Sequence, residues 1–311
     1  ADGAGGRGVV VCAGGPYLGL AWISLRLLRG FCRCPLPVEL WHLPGEVSAA
    51  AAAAFGRIPG VRLRELGVGL PRRRPEIWAV KPLAVAASGF REVLLLDADN
   101  VPCADPSPLF GGAAYASAGA LFWPDYAPYP EKDAAAWRAL SAGRWSKQPA
   151  EISWEMESGQ VVVDKARCAA PIRRLAELAL HLGELAAHLP GDGGDKDLFQ
   201  ISWALEGLPF AMTPQKPAAA GVEVPARRGD PRGPFVGHTM VHHGGPRDAP
   251  MFLHRTIDKH EDPFRLAWLR VAAAADRRGA ATGPPALELD RICPDSRVKA
   301  RIVPRAAAAV E

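Results

Sequence analysis

Two carboxylates, Asp97 and Asp99, follow directly on the apolar run Val93–Leu96. A run of that kind reads as a buried strand, so the acids fall at its carboxyl end. Two hard oxygen ligands with one residue between them suit Mg²⁺ or Mn²⁺. Such an ion can bridge two phosphate groups of a nucleotide and neutralise charge on a departing diphosphate. For a bare Asp-x-Asp, a common tripeptide, a solvated loop is the favoured reading. The central strand in front of this one favours metal chemistry.

Placing those acids at the mouth of a sheet requires the elements before them. Residues 8–13 are a continuous apolar run closed by Gly14-Gly15-Pro16, a buried strand and its turn. Helical spacing follows over 18–29, an alternating strand over 36–43, and an Ala-rich helix over 47–55. A third strand is expected over 61–66, then a helix over 76–88 ended by Gly89 at C′, then the strand 92–96. Strands alternating with helices predict a mostly parallel sheet with right-handed crossovers, and ligands beyond its carboxyl edge. Further on, strands are expected at 117–123, 160–163, 209–213, 240–243 and 251–254. Helices are expected at 166–189, 195–205 and 264–275, with a surface tail over 276–311.

Composition limits the function classes. Of 311 residues, 49% are hydrophobic and 23% charged, as in a soluble globular protein, which excludes a disordered, fibrous or coiled-coil chain. A net charge of +4 without long basic runs gives no ground for a nucleic-acid partner. No segment reaches the ~18 apolar residues of a membrane-spanning helix, and no signal peptide is visible. Six cysteines permit several pairings, and at most one or two disulfides are expected. Cys12 reads as a core residue. Asn100 is the one Asn in an Arg- and Ala-rich sequence, and it lies beside the acidic pair.

The string VLLLDADNV also resembles the nucleophile motif of haloacid dehalogenase-like phosphatases, in which Asp97 would be the nucleophile beside Mg²⁺. Against that, three strand–helix units precede it. A different resemblance runs through far more of the chain. VVVCAGGPY, LRLLRGFCRCPLPVELWHLPGE, KPLAVAASGFREVLLLDADNVPCADPSPLF, GALFWPDY, ESGQVVVDKAR, GDKDLFQISWAL and MFLHRT are similar, in order, to the fungal-type α-mannosyltransferases of glycosyltransferase family 71.

That resemblance implies a GT-A fold, α/β and Rossmann-like. It implies one catalytic domain over 1–275, with a nucleotide-binding half over 8–110 and an acceptor half over 111–275. It also implies a GDP-mannose donor, a glycan or glycoprotein acceptor, Mn²⁺ (or Mg²⁺), and retention at the anomeric carbon. The full-length protein would then be a type II Golgi protein with a luminal domain, reaching the membrane only through an anchor outside this chain. A non-catalytic nucleotide-sugar or glycan-binding module on the same fold is the remaining alternative.

The resemblance also assigns roles. Asp97 and Asp99 would hold the metal with a late His, for which His254 is chosen over His242 and His243. Asp195 would face the donor sugar, although an N-cap role explains it too. Lys196 would help the leaving phosphate. From residue chemistry, Lys81 on the helix before the metal strand could meet phosphate or ribose, and Gly14 and Gly15 permit close approach of a nucleotide. Ser158 and Gly159 leave room for a sugar ring, and Glu157 and Gln160 can bond hydroxyls. Trp123 with Asp125 could wall the acceptor, with core packing the alternative for Trp123.

Overall fold

The computed structural model describes residues 6–67, 76–128, 154–185, 194–223, 235–244, 249–255, 270–273 and 303–304. The first half carries β1 (Arg7–Cys12), α1 (Leu18–Gly30), β2 (Val38–His42), α2 (Ala49–Gly56) and β3 (Val61–Glu65). It continues with α3 (Val80–Ala87), β4 (Glu92–Asp97), β5 (Asn100–Pro102) and α4 (Ala113–Ala118). Then come β6 (Ala120–Pro128), β7 (Trp154–Asp164), α5 (Ala169–Leu180), α6 (Leu182–Leu185) and α7 (Lys196–Leu205). The last strands are β8 (Ala211–Met212), β9 (Ala218–Glu223), β10 (Phe235–His243), β11 (Pro250–Arg255), β12 (Arg270–Ala273) and β13 (Val303–Pro304).

A seven-stranded sheet has the order β3-β2-β1-β4-β7-β6-β8, with β3, β2, β1 and β4 mutually parallel and β7 antiparallel to β4. This is the expected mixed α/β architecture with a parallel-rich centre. Its central strands β1 and β4 are apolar on both faces because both are covered. Val10, Val93, Leu95, Val161 and Val163 enter one core with Leu83, Leu175, Phe199 and Trp203 of the helices α3, α5 and α7. Their neighbours Val9, Val11, Leu94, Leu96 and Val162 enter the other, with Leu25 and Leu28 of α1 and Phe55 of α2. Strand β2, read as alternating, is buried at every residue for the same reason.

A second, six-stranded sheet has the order β13-β12-β9-β10-β11-β5. Its edge strand β5 is covered by α1 and the turn after it: Ser24 Oγ of α1 donates to Asn100 O at 2.9 Å, and the Cys32 thiol just beyond α1 meets Pro102 O at 3.4 Å. An edge strand's carbonyls need such partners when buried.

Several expected elements are corrected. Ser88 leaves α3 in an extended conformation and Gly89 has no positive φ. Lys165 closes the turn instead, its Nζ donating to Ala86 O at 3.2 Å and Ser88 O at 2.5 Å. The strand expected over 117–123 starts at Ala120, because Gly119 (φ 76) ends α4 in the left-handed region. The strand expected at 160–163 is eleven residues long and contains Glu157–Gln160. The helix expected over 166–189 starts late, since Asp164 Oδ1 first accepts from the amides of Ala166 and Arg167 in a turn. It then breaks at His181, and residues 186–193 lie outside the described set. Arg270–Ala273 form a strand, where a helix over 264–275 was expected, and pair with β9 and Val303–Pro304. Cys12, Cys32, Cys34, Cys103 and Cys168 are free thiols, so no disulfide forms among the described residues, and Cys293 lies outside them.

Candidate active site

The site grows out of one tight connection. Asp97 ends β4 in the first sheet, and three residues later Asn100 begins β5 in the second. β5 pairs with β11 so that Asn100 stands opposite His254, and Arg255 N donates to Asp99 O at 3.0 Å. The register therefore delivers His254, distant in sequence, onto the acidic pair. Its Nε2 lies 3.8 Å from Asp97 Oδ2 and 3.4 Å from Asp99 Oδ1. One ligand atom from each of Asp97, Asp99 and His254 falls within 4.8 Å of the others. Asp99 and His254 are buried, and neither ring nitrogen of His254 has a hydrogen-bond partner among the described residues. Two carboxylates and an imidazole form a donor set that fits Mn²⁺ or Mg²⁺.

The surroundings hold the His254 ring in place. Glu157 Oε1 sits 3.4 Å from His254 Nδ1 while accepting the Gly159 amide at 2.7 Å. A carboxylate on the far nitrogen of a metal-ligating His fixes its orientation. Burial works against charge on the ring, but Glu157 and Asp99 outweigh it and push the His254 pKa up to about 10. Burial would also raise Glu157, yet His254 holds that carboxyl well below the usual range. Gly159 is required here, since a Cβ on it would stand 2.6 Å from His254 Nδ1. Asn100 Nδ2 donates to Gly159 O at 2.8 Å and to Gln160 Oε1 at 2.5 Å, locking β5 to β7.

Lys81 lies beside the acidic pair rather than on the surface. From α3 its Nζ reaches Asp97 Oδ2 (3.0 Å), Asp195 Oδ2 (2.9 Å) and Ser158 Oγ (3.1 Å). Burial disfavours the ammonium, but Asp195 and Asp97 raise its pKa well above the usual value. Asp195 precedes α7 without making a side-chain cap bond, and its Oδ2 accepts from Ser158 Oγ at 3.0 Å. Asp195 is thus bonded to Lys81 and Ser158 beside Asp97, and its side chain does not cap the helix.

Other expectations fare differently. Trp123 is fully buried, packs edge-on against Phe252 and donates from Nε1 to His243 O at 2.6 Å, so it is a core residue and no acceptor wall. Gln160 is fully buried against Asn100 and has no exposed surface to offer a sugar. Lys196 points away from the acidic pair, to Asp125 at 2.8 Å and Glu155 at 2.6 Å. His242 is buried at a ring distance of 6.5 Å from His254, its pKa pushed down to about 3 by burial. Neither His242 nor His243 enters the metal-type group formed among the described residues. Gly14 leaves the space that the Glu46 carboxylate fills, and Gly15 (φ +52) faces open space. Sequence reading missed Glu155 and Asp197. A Glu two residues before Glu157, on the same strand face, was the available signal for the first.

A family model described as "Mannosyltransferase putative" matches residues 6–137. The chain is 31% identical over 128 residues to the α-1,2-mannosyltransferase MNN2 of Saccharomyces cerevisiae, covering 39% of this chain and 21% of that one. It is 30% identical over 131 residues to the α-1,2-mannosyltransferase MNN23 of Candida albicans, with 39% and 21% covered. Among solved structures it is similar to the galactosyltransferase LgtC with donor and acceptor sugar analogs, at TM-score 0.44 and 13% identity, covering 62% of this chain and 69% of that one. It is also similar to mouse xyloside xylosyltransferase 1, at TM-score 0.42 and 14% identity, covering 67% and 85%. The chain spans about a fifth of the length of the two fungal relatives. Residues 6–137, which carry β1–β4 and the acidic pair, are therefore similar to a mannosyltransferase family model, and 39% of the chain is similar in sequence to fungal α-1,2-mannosyltransferases.

Proposed function

We propose that this chain is the catalytic part of a metal-dependent, retaining glycosyltransferase of GT-A type, moving mannose from GDP-mannose to a glycan or glycoprotein in the Golgi lumen. The observation that carries this reading is the convergence of Asp97, Asp99 and His254 at the carboxyl end of β4. The match of that same stretch to mannosyltransferases supports the sugar.

In this reading Asp97, Asp99 and His254 hold the ion, which when bound supplies positive charge against the donor diphosphate. Lys81 adds a fixed cation on the same side and keeps Asp97 and Asp195 at a set separation. Such preorganised charge is usually the largest contribution to a reaction that expels a diphosphate. Asp195, held by Lys81 and Ser158, presents its carboxylate where positive charge develops at the anomeric carbon. Gly15 leaves open backbone where a nucleotide can approach. Glu157 orients His254.

The test is a thermal-shift and turnover panel of nucleotide sugars with and without Mn²⁺. GDP-mannose should raise Tm and be consumed only with the ion, and His254→Ala should lose Mn²⁺ affinity while His242→Ala keeps it. Hydrolysis of simple phosphate esters, lost in Asp97→Asn, would favour phosphatase chemistry instead.

A further inference from the structure

The strongest polar feature outside the metal-type group is the triad on the other side of Asp195. Lys196 Nζ is held by Asp125 Oδ2 at 2.8 Å and Glu155 Oε2 at 2.6 Å. The side chains keep 28%, 17% and 13% of their surface, so the triad is mostly covered but still reached by solvent. An ammonium has three N–H donors, and two of Lys196's are taken among the described residues. The two carboxylates retain free lone pairs. A pair of neighbouring hydroxyls, which both donate and accept, matches that set.

A second observation points to a guest. Asp197 is fully buried in the first turn of α7, and neither carboxylate oxygen has a hydrogen-bond partner among the described residues. It lies in the field of Lys196, Glu155, Asp195 and Asp125. Leaving such a group unpaired is costly, and a buried polar group left so calls for an explanation, a catalytic role among them. Position supports the same conclusion. Glu155 and Glu157 share a face of β7, about 7 Å apart along the strand, and Glu157 touches His254. The triad thus sits one step of the strand from the ion-holding group, and α7 joins them through the successive residues Asp195 and Lys196.

We propose that Asp125, Glu155 and Lys196 form the subsite that recognises adjacent hydroxyls of an uncharged sugar acceptor, and that its net negative charge turns away acceptors bearing phosphate or carboxylate. This rests on the glycosyltransferase reading above. Two carboxylates against one ammonium leave one negative charge, which repels an anion and costs a neutral polyol nothing.

The experiment uses the chain with Mn²⁺ and GDP-mannose, with methyl α-mannoside and mannose 6-phosphate as acceptor probes. Wild-type protein should use the neutral probe at least tenfold better in kcat/KM. In Glu155→Gln and Asp125→Asn, KM for methyl α-mannoside should rise about tenfold, the loss of one charged hydrogen bond. KM for GDP-mannose should move less than twofold, and the preference against mannose 6-phosphate should narrow. Equal use of both probes by the wild type overturns the proposal without any variant having to fold. An effect on donor KM alone overturns it as well, placing the triad on the donor sugar. Turnover of GDP-mannose with an unchanged acceptor KM in both variants sinks the subsite and spares the parent reading. No turnover under any condition sinks both.

Discussion

A Cβ added to Gly159 would lie 2.6 Å from Nδ1 of His254 and 3.2 Å from Oε1 of Glu157. The missing side chain is thus the space that the His254 ring occupies. Gly159→Ala should push His254 off Asp99, and Mn²⁺ affinity should fall about 10–100-fold, the range seen when a ligand's support is lost. Overpacking of this kind costs about 1–3 kcal/mol of stability. Isothermal titration with Mn²⁺ checks it. Unchanged affinity in a folded variant would show that His254 is not a ligand.

Lys81 is the only cation seen between Asp97 and Asp195 among the described residues. Lys81→Met leaves two mostly buried carboxylates facing each other. Removing one partner of such a set costs about 3 kcal/mol or somewhat more, readable as a lower urea midpoint. Mn²⁺ brings positive charge to Asp97, so the gain in Tm on adding it should be larger in Lys81→Met than in wild type. An equal gain in both would separate Lys81 from the ion.

Asp197 gives the protein a pH dependence of unusual sign. Burial pushes its pKa up to about 8, whereas an unfolded Asp titrates near 4. Between those values the native state keeps a proton that the unfolded chain has released, so this group's contribution weakens as pH rises from about 4 to about 8. Asp197→Asn, neutral throughout, should show no such loss. Its Tm relative to wild type should be higher at pH 8.5 than at pH 5. A difference that stays constant over that range would contradict the buried acid.

Trp123 should matter for stability alone. Trp123→Ala should lose about 3–5 kcal/mol by emptying core volume against Phe252. Trp123→Phe, which keeps most of the ring but leaves His243 O without its donor, should unfold more easily while acceptor KM stays unchanged. A raised acceptor KM at wild-type Tm would return Trp123 to the acceptor wall.

The residues that could be read in advance were those whose role is written in local pattern. The run Val93–Leu96 announces a central strand, and the strand announces the mouth at which Asp97 and Asp99 stand. Lys81 could be named from its place before the strand and Asp195 from the resemblance, but not the bond between them, since β4, α3 and α7 must first pack. His254 was singled out by resemblance, and its placement depends on a register with Asn100 that no periodicity encodes. Trp123, for which core packing was one of two readings, and Gln160 were left open for one shared reason. Polar and aromatic side chains look available on paper, and only packing reveals that His243, Phe252 and Asn100 have already claimed them. Glu155 escaped notice because its partner Lys196 is 41 residues away.

The short link Asp97–Asn100 has a mechanical side. It is the point where the chain steps from one sheet into the other, and Asp97, Asp99 and His254 come from both banks of that step. An ion seated there acts as a rivet through two plates, so its binding strength is shared by β1–β4 and by β9–β11 alike. Backbone amides far apart in the chain, Val10 and Val241 among them, should slow their exchange with solvent together when it arrives and quicken together when a chelator takes it away.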